Sequence, residues 1–351
     1  MHKIRLALAA LCVLVHASAH GEIEDGIAAY DRGNYAAALR EFRPLAEKGD
    51  ARAQNGMGIL CMEGRGVPKN VAAAILWFRK SAEQNYPGAQ LNLGIAYSRG
   101  SGVARNDAAA AGWYLKAAEQ GQAEAQYHLG AAYAAGKGVA RNDAQAFKWF
   151  RLAAEQGHVL AQHSLGNAYL MGRGASRDDA EAAKWYRLAA EQGNASSQFN
   201  LAQMYVSGRG VTRSEAAAAR WYRKAAEQGD AEAQFSLGVL YQDGRGVPRD
   251  NAEALQWYRK SAQQDDRDAQ NNLGLMYANG TGVAKDEREA VKWYRLAAEQ
   301  GSAQAQHNLG LMYLHGRGVA KNVAEAKKWL RMAADQGHAG ARESLRRLSA
   351  R

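Results

Sequence analysis

Apolar residues in this chain recur at helical spacing, in pairs of short stretches separated by glycine-rich breaks. In residues 122–157, Ala125, Leu129 and Tyr133 stand four apart and line one face of a helix. Gly136-Lys137-Gly138 then interrupts with two residues that tolerate positive φ. Asn142 and Asp143 are N-cap types, and Ala146, Trp149, Phe150, Ala153 and Ala154 form the apolar stripe of a second helix that Gly157 stops. The pattern predicts a helix-turn-helix hairpin.

The same pattern repeats along the chain. Trp77, Trp113, Trp149, Trp185, Trp221, Trp257, Trp293 and Trp329 each lie 36 residues from the last, and they are all eight tryptophans of the sequence. Gln54, Gln90, Gln126, Gln162, Gln198, Gln234, Gln270 and Gln306 keep the same step. Eight gapless units span residues 50–337. A single hairpin cannot bury its own stripe, so neighbours must stack. The expected fold is all-α, a right-handed α-solenoid of about nine hairpins and a terminal helix. The small residues at Gly58, Gly94, Gly130, Gly166, Gly238, Gly274 and Gly310, with Ala202 in the remaining unit, should bring helices close and leave room for the indole.

The linked half-motifs L-G-x-x-Y-x-x-G-x-G-V and W-Y-R-x-A-A-E-Q-G closely resemble the Sel-one-like repeat, a relative of the tetratricopeptide repeat. The resemblance covers residues 50–337 and implies scaffolding of envelope assembly, exopolysaccharide export or host contact. Upstream, Tyr30, Gly33, Tyr35, Ala38, Phe42 and Leu45 resemble a plain tetratricopeptide unit, which makes residues 20–49 an N-terminal capping repeat; Pro44 is a defect in that reading. Residues 338–351 fit a C-terminal capping helix whose Arg342, Arg346 and Arg347 suit a polar outer face.

The first nineteen residues read differently. Lys3 and Arg5 precede an apolar run from Leu6 to Val15, and Ala17-Ser18-Ala19 is a small-residue cleavage site, so residues 1–19 read as a secretory signal. Leu11 directly before Cys12 argues against a lipid-anchored cysteine. The expected mature chain starts at His20, is exported to the periplasm or beyond, and has no membrane span. Losing Lys3 and Arg5 leaves 43 basic against 35 acidic side chains, a formal +8 that favours acidic partners. Export argues against nucleic acid. Cys61 is then the single cysteine, so the fold rests on packing without an intrachain disulfide.

Within the repeat, the tryptophans sit on the apolar stripe and read as core. Arg79, Arg151, Arg187, Arg223, Arg259, Arg295 and Arg331 mostly precede an acid by four residues, which reads as a solvated helix face. A turn ladder of Lys69, Arg105, Arg141, Arg177, Arg213, Arg249, Lys285 and Lys321 places one cation per unit beside a helix N-terminus. Arg105, Arg141, Arg177, Arg213 and Arg249 are the candidate anion-binding residues, although acids follow most of these cations and partly cancel them.

Binding is read from where the units differ. After each ladder glutamine stand Asn55, Leu91, Tyr127, His163, Phe199, Phe235, Asn271 and His307. Further along that stripe come Asn167, Gln203, Val239 and Gln242. First helices of solenoids usually line the concave side. Tyr127, His163, Asn167, Phe199, Gln203, Phe235, Gln242 and His307 are therefore the candidate protein-binding residues, with half-buried contacts between helices as the equal alternative.

Candidate chemistry is sparse. The sequence holds no S-x-x-K, G-x-S-x-G or H-E-x-x-H motif, and His158 and His163 are five apart, a poor metal spacing. Cysteine-rich relatives linked to penicillin-type substrates pair their cysteines, whereas Cys61 stands alone where other units carry Tyr. The expectation is a non-catalytic scaffold without cofactor or metal, holding a protein or peptide in its groove. A β-lactamase-like or peptidoglycan-directed hydrolase is the second reading, and a binder of anionic envelope polymer the third.

Overall fold

The structure, a computed structural model, describes residues 19–349; all but the last residue of the expected leader lies outside the described residues. Among the described residues there are nineteen helices and no strand. The chain divides after Asp178 into two compact units.

The first unit contains α1 (Ala19–Asp31), α2 (Tyr35–Glu47), α3 (Ala51–Glu63), α4 (Val71–Glu83), α5 (Pro87–Arg99), α6 (Asp107–Glu119), α7 (Ala123–Ala135), α8 (Asp143–Glu155) and α9 (Val159–Met171). The second contains α10 (Asp179–Glu191), α11 (Ala195–Ser207), α12 (Glu215–Glu227), α13 (Ala231–Asp243), α14 (Asn251–Ala262), α15 (Arg267–Asn279), α16 (Glu287–Glu299), α17 (Ala303–His315), α18 (Val323–Asp335) and α19 (Ala339–Ser349). Within each unit consecutive helices pack on one another, so each is a solenoid segment of stacked hairpins. Helix α2 continues through Pro44, which forfeits one backbone hydrogen bond without ending it.

The hairpin is written in its caps. Helix α7 ends on the left-handed Gly136 (φ 65°), whose N–H donates to the Ala132 carbonyl. Two residues on, Gly138 (φ 72°) presses against the Asp107 carbonyl, where a Cβ has no space. Asn142 then turns the chain into α8, its Oδ1 accepting from Gln145 N at 3.0 Å.

The glycines make room for a different ring from the one expected. A Cβ on Gly130 would stand 2.8 Å from Phe150, and one on Gly238 would stand 2.7 Å from Tyr258. The residue after each tryptophan therefore fills the gap, and Tyr186 and Tyr258 are among the largest fully buried side chains. Trp149, Trp257 and Trp329 are buried, whereas Trp77, Trp113, Trp185, Trp221 and Trp293 are only half-buried. A lysine lies over the ring of every tryptophan but Trp293. In some units it comes from three residues later, as Lys116 over Trp113 at 4.2 Å and Lys260 over Trp257 at 4.1 Å. In others it is the preceding residue, as Lys148 over Trp149 at 5.1 Å.

Contacts between hairpins absorb the other ladders. Gln126 Nε2 donates to the Ala118 carbonyl of the preceding hairpin at 3.1 Å, and its Oε1 accepts from Gln156 of its own hairpin at 2.8 Å. The same bonds recur at Gln90, Gln234, Gln270 and Gln306. The arginines lie on the expected solvated face, with only Arg223 half-buried, but several bind a partner other than the acid four residues on. Arg151 does pair with Glu155 at 2.7 Å, but Arg187, Arg259 and Arg295 donate to the hydroxyls of Tyr205, Tyr277 and Tyr313 at 2.8, 2.7 and 2.6 Å. Eighteen residues separate each donor from its acceptor, so the bond joins a second helix to the next first helix.

Three arginines bind an acid thirty residues upstream, whereas Lys137 and Arg173 stand beyond ion-pair distance of Asp107 and Asp143. Arg209, Arg245 and Arg317 reach back to Asp179, Glu215 and Glu287 at 3.2, 2.8 and 2.9 Å. Where the acid position holds Val71 or Asn251, the cation position holds Ser101 or Thr281.

Candidate functional site

The stripe after the ladder glutamines runs along the first helices and packs partly on the next hairpin and partly on the second helix of its own. Asn55 is buried and its Oδ1 accepts from Asn92 Nδ2 of the next first helix at 2.9 Å. Leu91 is buried as well. Tyr127, Phe199, Phe235 and His307 are half-buried. Tyr127 stacks on His158 at 4.8 Å and leans on Phe150, Phe199 and Phe235 tilt against Tyr222 and Tyr258, both at 5.7 Å, and His307 stacks on His338 at 4.5 Å. Tyr127 and His307 thus pack on the next hairpin, whereas Phe199 and Phe235 pack on the second helix of their own.

The remaining candidates differ in exposure. Gln203 points out from α11 and is exposed, whereas Gln242 is half-buried and accepts from the Tyr258 hydroxyl at 2.7 Å. His163 is held neutral by burial and meets Asn167 at 3.0 Å. Asn167 also lines an open cavity beside α7, α8 and α9. Burial and the neighbouring His338 likewise depress the pKa of His307.

Sequence reasoning passed over a cluster at the start of α7. Glu124 Oε1 faces His128 Nε2 at 3.4 Å and its Oε2 faces His158 Nε2 at 3.0 Å. His158 Nδ1 accepts from Ala161 N at 3.1 Å, which leaves its proton on Nε2, donated to Glu124. Hydrogen bonds from His128 and then His158 hold the Glu124 carboxyl well below the ordinary carboxylate range. His128 in turn stacks on Tyr114 at 5.0 Å. Comparing equivalent positions between units would have singled this cluster out, because the other units carry no Glu-His pair there.

The turn cations are largely engaged. Arg105 and Arg141 bind Asp107 and Asp143 at 3.0 and 3.2 Å, and Arg213 binds Glu215 at 3.1 Å. Arg177 and Arg249 occupy the same turn position and are exposed. Burial pushes the Cys61 thiol up, away from the thiolate that would act as a nucleophile. Among the described residues no three His, Cys, Asp or Glu side chains converge as metal ligands, and no helix is long and apolar enough to cross a membrane.

The hairpin geometry and its period agree with one family model, the Sel1 repeat, which matches eight consecutive segments from residues 51–86 to residues 303–338. The chain belongs to the Sel1 repeat family. Sel1 repeat proteins generally mediate protein–protein interactions and are typically non-catalytic. Two solved Sel1-type structures are similar. One is c5321, a protective antigen of uropathogenic Escherichia coli strains displaying an SLR fold. It is 42% identical with a TM-score of 0.85, over 88% of this chain and 66% of that one. This chain therefore spans slightly under two thirds of the length of c5321. The other, a Sel1 repeat protein from Oxalobacter formigenes, is 33% identical with a TM-score of 0.64 over 98% of both chains. No curated protein matches the chain.

Proposed function

We propose that this Sel1 repeat chain is an exported, non-catalytic scaffold whose first-helix faces hold a protein or peptide partner. One observation carries the reading. The residues that repeat every 36 positions are used within and between hairpins, as the glutamine bonds and the Arg–Tyr bonds show, whereas the outward first-helix positions change from unit to unit. Framework and display are thus separated, as a surface that recognises one partner on a uniform support requires. Export follows from the leader pattern of residues 1–19, and it makes envelope or extracellular proteins the class of partner.

The test is site-specific cross-linking. A photo-reactive side chain at position 167 or 203, both on first helices, should trap a defined partner in envelope extract, while one at the exposed Gln256 on a second helix should not. Equal labelling from all three positions would overturn the assignment of the binding face. Reproducible turnover of a chromogenic β-lactam or of peptidoglycan fragments would overturn the non-catalytic reading.

A further inference from the structure

Helix α7 is stripped of bulk over its C-terminal half. Ala131 occupies the place of Ile95, Val239, Leu275 and Leu311 in other units, and Ala134 the place of Met62, Leu170, Val206 and Leu314. An open cavity lies on each side of this helix. One, of about 250 Å³, has Ala131 and Ala135 in its wall and Tyr114 at its base; the other, of about 210 Å³, is bounded by Ala134, Phe150 and Met171. Both fall below the ~300–1,000 Å³ of pockets that enclose small molecules. Each suits a single apolar side chain.

Charge distinguishes the two mouths. The acids there, Asp107 and Asp143, are each held through two hydrogen bonds by Arg105 and Arg141. The cations at the far rim are Lys137 and Arg173, both exposed, and among the described residues neither has a carboxylate at ion-pair distance. Their counterparts Arg209, Arg245 and Arg317 do have one. Each cavity therefore carries one surplus positive charge at its edge.

We infer that the two cavities flanking α7 receive two apolar side chains of one extended acidic peptide segment, whose carboxylates meet Lys137 and Arg173. The cavities lie on opposite sides of α7, whose diameter with side chains is about 10–12 Å. An extended segment spans that width with same-face residues three apart in polyproline II, about 9 Å, or four apart in a β-strand, about 13 Å. The apolar residues are thus three or four positions apart, with Asp or Glu between or beside them. This inference rests on the scaffold reading and names the partner class for one part of the surface.

The test selects from a library of N-acetylated octapeptides, with apolar, acidic, basic and alanine residues permuted, on the full chain. The expected enrichment is two large apolar residues three or four apart flanked by acids. The variants borrow residues from sibling units, so the fold accepts them: Ala131→Leu with Ala134→Leu fills the cavities, and Lys137→Thr with Arg173→Ser removes the surplus charge. Filling should weaken the enriched peptide about tenfold or more. Removing the cations should weaken it about threefold and flatten its salt dependence. Helical circular dichroism and an unchanged melting midpoint establish that each variant is folded. Retention of the wild-type affinity by the filled variant overturns the inference while leaving peptide binding, and with it the scaffold reading, standing elsewhere on the chain. No enrichment of any peptide overturns the inference and counts against the scaffold reading too. Equal affinity for a plain polyglutamate overturns it in favour of a binder of anionic polymer.

Discussion

Gln156 donates through Nε2 to Oε1 of Gln126 at 2.8 Å. The bond ties the end of α8 to the first turn of α7, while the Gln126 amide reaches the carbonyl of Ala118 at the end of α6. One buried side chain thereby holds three helices of two hairpins, and its loss should be felt by both.

The substitution Gln126→Leu keeps the volume and removes both bonds, leaving the Ala118 carbonyl with the Gly121 N–H and the Gln156 amide with the Leu152 carbonyl. The expected cost is about 1–3 kcal/mol. Urea unfolding followed by helical circular dichroism measures it, and an unchanged midpoint would show the ladder to be ornamental.

Gly238 and Ala202 occupy the same place in different units, yet opposite changes should not have opposite effects of equal size. Gly238→Val drives a branched side chain into the Tyr258 ring and should cost about 2–3 kcal/mol. Ala202→Gly relieves packing but loosens α11, at about 1 kcal/mol. Thermal melts of the two single variants, compared under one set of conditions, check the ranking.

The Glu124 carboxyl is held below its ordinary value of 4.5 by His128 and His158. Its folded pKa is depressed, so it contributes stability above the unfolded value and loses it as pH falls through the folded one. The difference between wild type and Glu124→Gln should therefore be largest near neutrality and shrink below about pH 4.5. Denaturant midpoints measured across that range decide it; a constant difference would contradict the role of the carboxylate. The side chain is 40% exposed, so solvent screening reduces the size of the effect.

His307 is half-buried against His338, and both the partial burial and the adjacent imidazole favour its neutral form. The unfolded chain binds the extra proton more readily, so this contribution is complete above the ordinary histidine value near 6.5 and is lost as pH falls below it. His307→Phe installs the residue that sibling units carry at Phe199 and Phe235. It should raise the melting temperature more at about pH 5.5 than at about pH 7.5. An equal rise at both values would assign the gain to apolar packing alone.

Much of this molecule was legible in its sequence because period is a local property. The tryptophan and glutamine ladders, the turn glycines and the Asn142 cap each predict their own surroundings. What the sequence withheld lies across helices. Trp149 and Phe150 are adjacent aromatics some hundred degrees apart on α8, and only the neighbour's position decides that Phe150 meets Gly130. The Arg295–Tyr313 bond joins two helices, so counting four residues along one of them pointed to Glu299 instead. The cavities beside α7 stood in plain view as Ala131 and Ala134, once sibling positions are read as a column and bulk is the quantity compared.

The thirty-residue pairing gives each module an address. Asp179, Glu215 and Glu287 are met by arginine in the following module, while Asn251 is met by Thr281 and Val71 by Ser101. Excising the module that carries Arg245 and Asn251 would set Glu215 against Thr281, and excising the one that carries Thr281 and Glu287 would set Asn251 against Arg317. A module with an arginine and an acid, such as the one holding Arg209 and Glu215, can be copied without a mismatched seam. The array can therefore lengthen most readily through modules of that kind, and its neutral seams are where a lost module would strand a charge.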